Sequence, residues 1–125
     1  MSPQRSAKER LEDIVLWGGF VAQHLAGISR TSFETDLKTQ HAVMKCIEVI
    51  GEASGHLMKL MPDHSASFPD LDLRRAYAIR NKLSHGYHDT ELDLLWFAAV
   101  QSVPSVVSAA QKKLLEHNDG NDDDR

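Results

Sequence analysis

The stretch DLKTQHAVMKCIEVIGEASGHLMKL, residues 36–60, decides the fold. Leu37, Met44, Ile47, Ile50 and Leu57, with Met61 just beyond, recur at the three- and four-residue spacing that lines one face of a helix. Nothing in the stretch alternates at the two-residue period of a strand. Gly51 and Gly55 are four apart and share a face. With no side chain at either position, another helix can come close there.

The flanks read the same way. From Lys8, the residues Leu11, Ile14, Val15, Gly18, Ala22 and Leu25 form a second apolar stripe, with Gly18-Gly19 as its weak point and Gly27 as a stop. Thr31-Ser32-Phe33-Glu34 has the pattern of a capping box, a hydroxyl followed three residues later by a carboxylate. Pro62 and Pro69 bracket a polar loop. Asp70 or Asp72 can cap a third helix carrying Leu73, Tyr77, Arg80 and Ser84 down one side, and Gly86 marks its end. Thr90-Glu91-Leu92-Asp93 opens a last helix with Leu94, Leu95, Phe97, Ala98, Val106, Val107, Ala110 and Leu114, which Pro104 should kink. The expectation is an all-α, antiparallel up-down bundle of four main helices.

Length and charge bound the rest. A chain of 125 residues suits one domain. Composition divides it into a polar leader, 1–7, a helical domain, 8–116, and an acidic tail, 117–125, too polar to bury anything and expected to be disordered. The formal charge of -4 is carried by residues 116–125, where Glu116, Asp119, Asp122, Asp123 and Asp124 outweigh Arg125. The body is therefore neutral and lacks the general basic character of a nucleic-acid-binding domain. Residues 71–87 are locally basic, with Arg74, Arg75, Arg80 and Lys82 against Asp72. The single cysteine, Cys46, permits no internal disulfide and fits a reducing, cytoplasmic setting. No apolar run approaches membrane-spanning length and no signal peptide is visible, so no membrane is expected.

The chemistry concentrates in Arg80-Asn81-Lys82-Leu83-Ser84-His85-Gly86-Tyr87. An Arg presents a planar fork of donors that fits phosphate. A His can act as acid or base near neutral pH. Arg80 and Tyr87, seven apart, share a helix face, as do Asn81 and His85, four apart. Arg80 and His85 diverge by about 140° on an ideal helix. Two copies about a two-fold axis could bring both kinds of side chain into one cleft.

That stretch resembles the Arg-x4-6-His motif of the HEPN superfamily, and more narrowly the Arg-Asn-x-x-x-His-x-Tyr form of HepT-like toxins. Ile47-Glu48-Val49-Ile50-Gly51-Glu52-Ala53 resembles the second-helix signature of that family, and Asp93-Leu94-Leu95-Trp96 suits it. The resemblance covers residues 8–115. It implies a helical bundle that dimerises with its motifs facing across the interface. It also implies a metal-independent endoribonuclease, with RNA as substrate and Arg80 and His85 catalytic. Such proteins are toxins of type VII-like toxin–antitoxin pairs. Their partner, an MntA-like nucleotidyltransferase antitoxin, adds AMP to the motif tyrosine, here Tyr87. Ser84 departs from the apolar residue that such sequences often carry.

Asn81 and Ser84 could support the site by positioning the backbone or holding the imidazole tautomer. Glu52, among small and apolar neighbours, is expected to point inward and orient Arg80. His85, His88 and Asp89 make a weak metal signal, because no third-ligand spacing accompanies them, so neither metal nor cofactor is expected. His24, His41, His56, His64 and His117 read as surface or boundary residues, Cys46 as a buried filler, and Trp17 and Trp96 as core or dimer anchors. The dimers could assemble further. The alternative reading is a non-catalytic helical module that binds a nucleotidyltransferase or RNA.

Overall fold

The computed structural model describes residues 5–67, 71–85 and 91–120. They form α1 (Ala7–Leu25), α2 (Arg30–Thr35), α3 (Leu37–Leu60), α4 (His64–Ser67), α5 (Leu73–Ser84), α6 (Leu92–Phe97), a π-helical segment (Ala98–Ser102) and α7 (Val103–Gly120). No strand occurs among the described residues. The all-α architecture is the expected one, with α1, α3, α5 and the continuous run from α6 through α7 as its four main helices. The leader before residue 5, Pro69, Asp70, residues 86–90 and residues 121–125 lie outside the described residues.

Short polar side chains start α1, α3 and α5, whereas Glu91, ahead of α6, makes no side-chain cap. Ser6 Oγ accepts from Glu9 N–H while the Glu9 carboxylate accepts from Ser6 N–H, a complete capping box. Asp36 caps α3 and Asp72 caps α5, each accepting from the backbone N–H three residues on. The cap of α2 is Ser29, not Thr31 as its spacing predicted; Ser29 Oγ accepts from Ser32 N–H. Gly27, between α1 and α2, takes a left-handed φ of 75°, where a side chain would be strained.

Helix α3 lies in the middle, with α1 against one side and α5 against another, and α7 packs on α1. Ile14, Phe33, Val43, Leu57, Leu73 and Leu95 are fully buried between them. Each such side chain contributes roughly 1.5–3 kcal/mol by leaving water. Leu37, expected in the apolar stripe, is exposed at the first residue of α3, whose buried positions begin at Gln40. His64, expected near the surface, is buried.

Two glycines set how closely the helices meet. A Cβ at Gly18 would lie 2.1 Å from Val107 Cγ2. One at Gly51 would lie 2.1 Å from Arg80 Cβ and 3.1 Å from the Ala76 carbonyl oxygen. Helix α5 therefore rests on the backbone of α3.

The kink expected at Pro104 takes the form of a widened turn. Proline has no N–H to donate, and its ring crowds the carbonyl four residues earlier. The preceding residues relax into a π-helical turn in which Val103 N–H donates to the Ala98 carbonyl, five residues back. Contrary to the reading of the bare sequence, the helical run Leu92–Glu116 is long and apolar enough, by composition, to cross a membrane. Alanine and valine spread through it raise its apolarity without an unbroken apolar run. Its residues Leu95, Ala98, Ala99, Val103, Val106 and Ala110 belong to the core of the bundle.

Candidate active site

Arg80 is placed by its stem. The Cβ and Cγ of its side chain lie against Gly51, so the chain leaves α5 along a floor that any larger residue would occupy. The guanidinium is then held by Asn81, whose Oδ1 accepts from Arg80 Nη1 at 2.9 Å. Arg80 Nε is buried without a hydrogen-bond partner. That edge of the fork is closed, and the outer nitrogens remain to meet an anion.

His85 is placed by the end of the helix. Helix α5 ends at Ser84, and His85 leaves helical geometry with φ -85° and ψ 24°. Its imidazole folds back so that Nδ1 lies 2.6 Å from the Asn81 carbonyl oxygen. A carbonyl only accepts, so Nδ1 carries the proton and donates. Nε2 is then the basic nitrogen, on a ring exposed at the end of α5. Asn81 thus serves both neighbours, the Arg through its side chain and the His through its backbone.

Two grooves between α3 and α5 meet at Arg80. One, of about 380 Å³, is lined by His41, Lys45, Glu48, Leu83 and Ser84 together with Arg80. The other, of about 350 Å³, is lined by Glu52, His56, Lys59 and Tyr77, again with Arg80. Lys45 and Glu48 form an ion pair of 3.5 Å at the surface of the first. Ser84 is exposed, and its hydroxyl makes no hydrogen bond among the described residues.

Glu52 corrects the expectation. It is exposed and makes no ion pair with Arg80; Asn81 holds the guanidinium instead. The small residues around Glu52 serve the approach of α5 and do not bury its carboxylate. Tyr87, with Gly86, His88 and Asp89, lies outside the described residues. Among the described residues no three His, Cys, Asp or Glu side chains gather as a metal ion would need.

On sequence alone the remaining groove residues have no role in the site: His41 and His56 read as surface or boundary positions and Tyr77 as part of a helix line. Their signal is a polar stripe on α3: His41, Lys45, Glu48, Glu52, His56 and Lys59 fall four, three, four, four and three residues apart. That is one helix face, and it borders α5. Away from the grooves, Cys46 is buried, and burial pushes its thiol pKa up, only partly offset by a backbone hydrogen bond. Asp36 is held below the usual carboxylate range by the Thr39 hydroxyl and then by the Thr39 N–H.

Residues 7–112 match a family described as ribonuclease HepT-like. A protein of Thermococcus cleftensis named "Probable ribonuclease HepT" is 31% identical over 109 residues, covering 87% of this chain and 96% of the relative. Two proteins of Methanocaldococcus jannaschii, whose names assign them provisionally as RNases, are 25% and 26% identical. The first alignment covers 97% of each chain, the second 88% of this chain and 92% of the relative. No solved structure matches the chain significantly.

Proposed function

Because this chain belongs to the HepT-like ribonuclease family, we propose that it is an endoribonuclease that works without metal. Two copies would join their motifs in one site. The observation that carries this is the double use of Asn81. It holds Arg80 ready for a phosphate and sets the His85 tautomer so that Nε2 is free to take a proton.

The chemistry is transphosphorylation. The ribose 2′-oxygen attacks the adjacent phosphorus as a base removes its proton. The P–O5′ bond breaks, and an acid protonates the departing 5′-oxygen. A 2′,3′-cyclic phosphate and a 5′-hydroxyl result, with no net change in protons. Arg80 stabilises the charge that builds on the phosphoryl oxygens. Attack and departure occur on opposite sides of the phosphorus, so one imidazole is poorly placed for both. The partner copy's equivalent histidine would supply the second role, which is the reason for a dimer. Asn81 and Ser84 are supporting residues in this reading, and Glu52 borders the site.

The same reading makes the chain a cytoplasmic toxin, silenced by an MntA-like nucleotidyltransferase antitoxin. The Tyr87 hydroxyl would attack the α-phosphorus of ATP and release pyrophosphate. The attached AMP would put a phosphate where RNA should sit, within reach of Arg80.

The test is RNA cleavage by the purified protein in EDTA, with His85→Ala alongside and the intact mass of both recorded. Cleavage by the wild type and none by the folded variant supports the nuclease. A folded wild type whose mass shows no added AMP, and which cuts nothing, overturns it in favour of a binding module.

A further inference from the structure

The groove on the Tyr77 side of Arg80 has a composition that phosphate binding alone does not require. Tyr77 lies three residues before Arg80 on α5, one turn away, and 39% of its surface is exposed. Its ring edge rests on Gly55, where a Cβ would lie 2.8 Å from both Cδ1 and Cε1. The aromatic side chain is thus seated against the backbone of α3 and remains open to solvent. Glu52, His56 and Lys59 from α3 share the groove with it.

Resting on the proposed nuclease reading, we infer that this groove binds the nucleobase next to the phosphate held by Arg80, with Tyr77 as its stacking platform. Arg80 is the shared wall of two grooves, so a phosphodiester on its outer nitrogens has one flanking nucleoside on each side. A volume of about 350 Å³ accommodates a nucleoside. An exposed aromatic face is the usual platform for an unpaired base, and it tolerates every base. Glu52 adds discrimination. Its carboxylate cannot face a phosphate, since like charges repel, so it turns to the base, where it accepts from an exocyclic amine; uracil offers only its ring N3–H, flanked by two carbonyl oxygens that repel a carboxylate. Bases that present an exocyclic amine, namely cytosine, adenine and guanine, are favoured over uracil. Lys59 lies one turn beyond Gly55, where it can meet the next phosphate along the strand.

The experiment compares wild type, Tyr77→Phe, Tyr77→Ala and Glu52→Gln in two assays, with oligomeric state checked by sedimentation. One assay is steady-state cleavage of single-stranded RNA with mapped cut sites. The other is fluorescence anisotropy with a 2′-O-methyl oligonucleotide, which has no free 2′-hydroxyl and cannot be cut. Tyr77→Ala should raise KM and weaken anisotropy binding roughly 5- to 100-fold, the range that loss of one stacked base produces, with kcat little changed. Tyr77→Phe should match the wild type, since stacking needs no hydroxyl. Glu52→Gln should relax the preference against uracil at the flanking position.

If the wild type cuts RNA and Tyr77→Ala neither weakens binding nor shifts KM, the subsite is overturned while the nuclease stands. If the wild type cuts nothing yet binds the oligonucleotide in a Tyr77-dependent way, the nuclease reading falls and the subsite survives. A Tyr77→Ala protein that has lost its dimer also overturns the subsite, because the ring would then belong to a protein interface.

Discussion

Gly51→Ala isolates the contact on which the candidate site is built. The new Cβ would lie 2.1 Å from Arg80 Cβ and 2.7 Å from Arg80 Cγ. Carbon atoms in contact sit about 3.5–4.0 Å apart. Arg80 Cβ is attached directly to the backbone, so no rotamer change relieves the clash. The Ala76 carbonyl at 3.1 Å blocks a sideways shift. Helix α5 must withdraw from α3 by about 1.5 Å, given that spacing. Overpacking of this kind costs about 1–3 kcal/mol. Against it stands the helix preference of alanine over glycine, about 1 kcal/mol. Gly19→Ala cancels that gain, because a Cβ there meets nothing within 4 Å and the residue is also inside a helix. Urea unfolding of the two variants should therefore differ by about 1–3 kcal/mol, with Gly19→Ala the more stable. RNA cleavage should fall about 100-fold in Gly51→Ala, as expected for a reacting group displaced by an ångström, and stay at the wild-type level in Gly19→Ala. Equal stabilities with full activity would refute the claim that Gly51 seats Arg80.

Three other outcomes are expected. Asn81→Ala should lower kcat/KM about 10- to 100-fold, the worth of one hydrogen bond to a charged group. The shape of its pH–rate profile should be unchanged, because His85 is held by the backbone carbonyl that alanine keeps. Asp36 has a lowered folded-state pKa, so its contribution to stability is present above the unfolded value of about 3.9 and is lost as pH falls through the folded value. Asp36→Asn keeps a capping side chain but removes that titration, so the Tm difference from wild type should change only below about pH 4. Cys46, buried and with its thiol pKa pushed up, should resist a disulfide-exchange reagent at neutral pH in the native protein and react promptly in urea. Fast native labelling would show that α3 opens.

The helices were legible because their signals are local. The start of α3 near Asp36 is where the apolar stripe predicts it, and of the two caps offered for α5, Asp70 and Asp72, it is Asp72 that caps. The close face at Gly51 and Gly55 was legible too, since four-residue spacing needs no knowledge of the partner helix. What could not be read depends on where a helix ends and what it lies beside. Arg80 and His85 point apart on an ideal helix. Their common partner is Asn81, which His85 reaches because α5 stops at Ser84 and the imidazole folds back. Glu52 was misread because small neighbours signal burial as readily as they signal the approach of another backbone. Tyr77 was read as one of a line with Leu73, Arg80 and Ser84. Of these Leu73 is buried, whereas Tyr77, Arg80 and Ser84 form the edge facing the polar stripe of α3.

A long, flexible side chain binds an anion well only if its freedom is lost before the anion arrives. An arginine carries about 2 kcal/mol of rotamer entropy. Here the stem is spent against Gly51, one edge of the fork is buried, and Asn81 holds an outer nitrogen. None of these contacts uses a charge, so the positive charge of Arg80 stays uncompensated among the described residues. The unpaired Glu52 beside it is consistent with this. A carboxylate locked onto Arg80 would have secured its position at the expense of its affinity for phosphate, whereas a neutral amide secures the position alone. On this argument Asn81 is suited to the place between Arg80 and His85 because it fixes both without neutralising either.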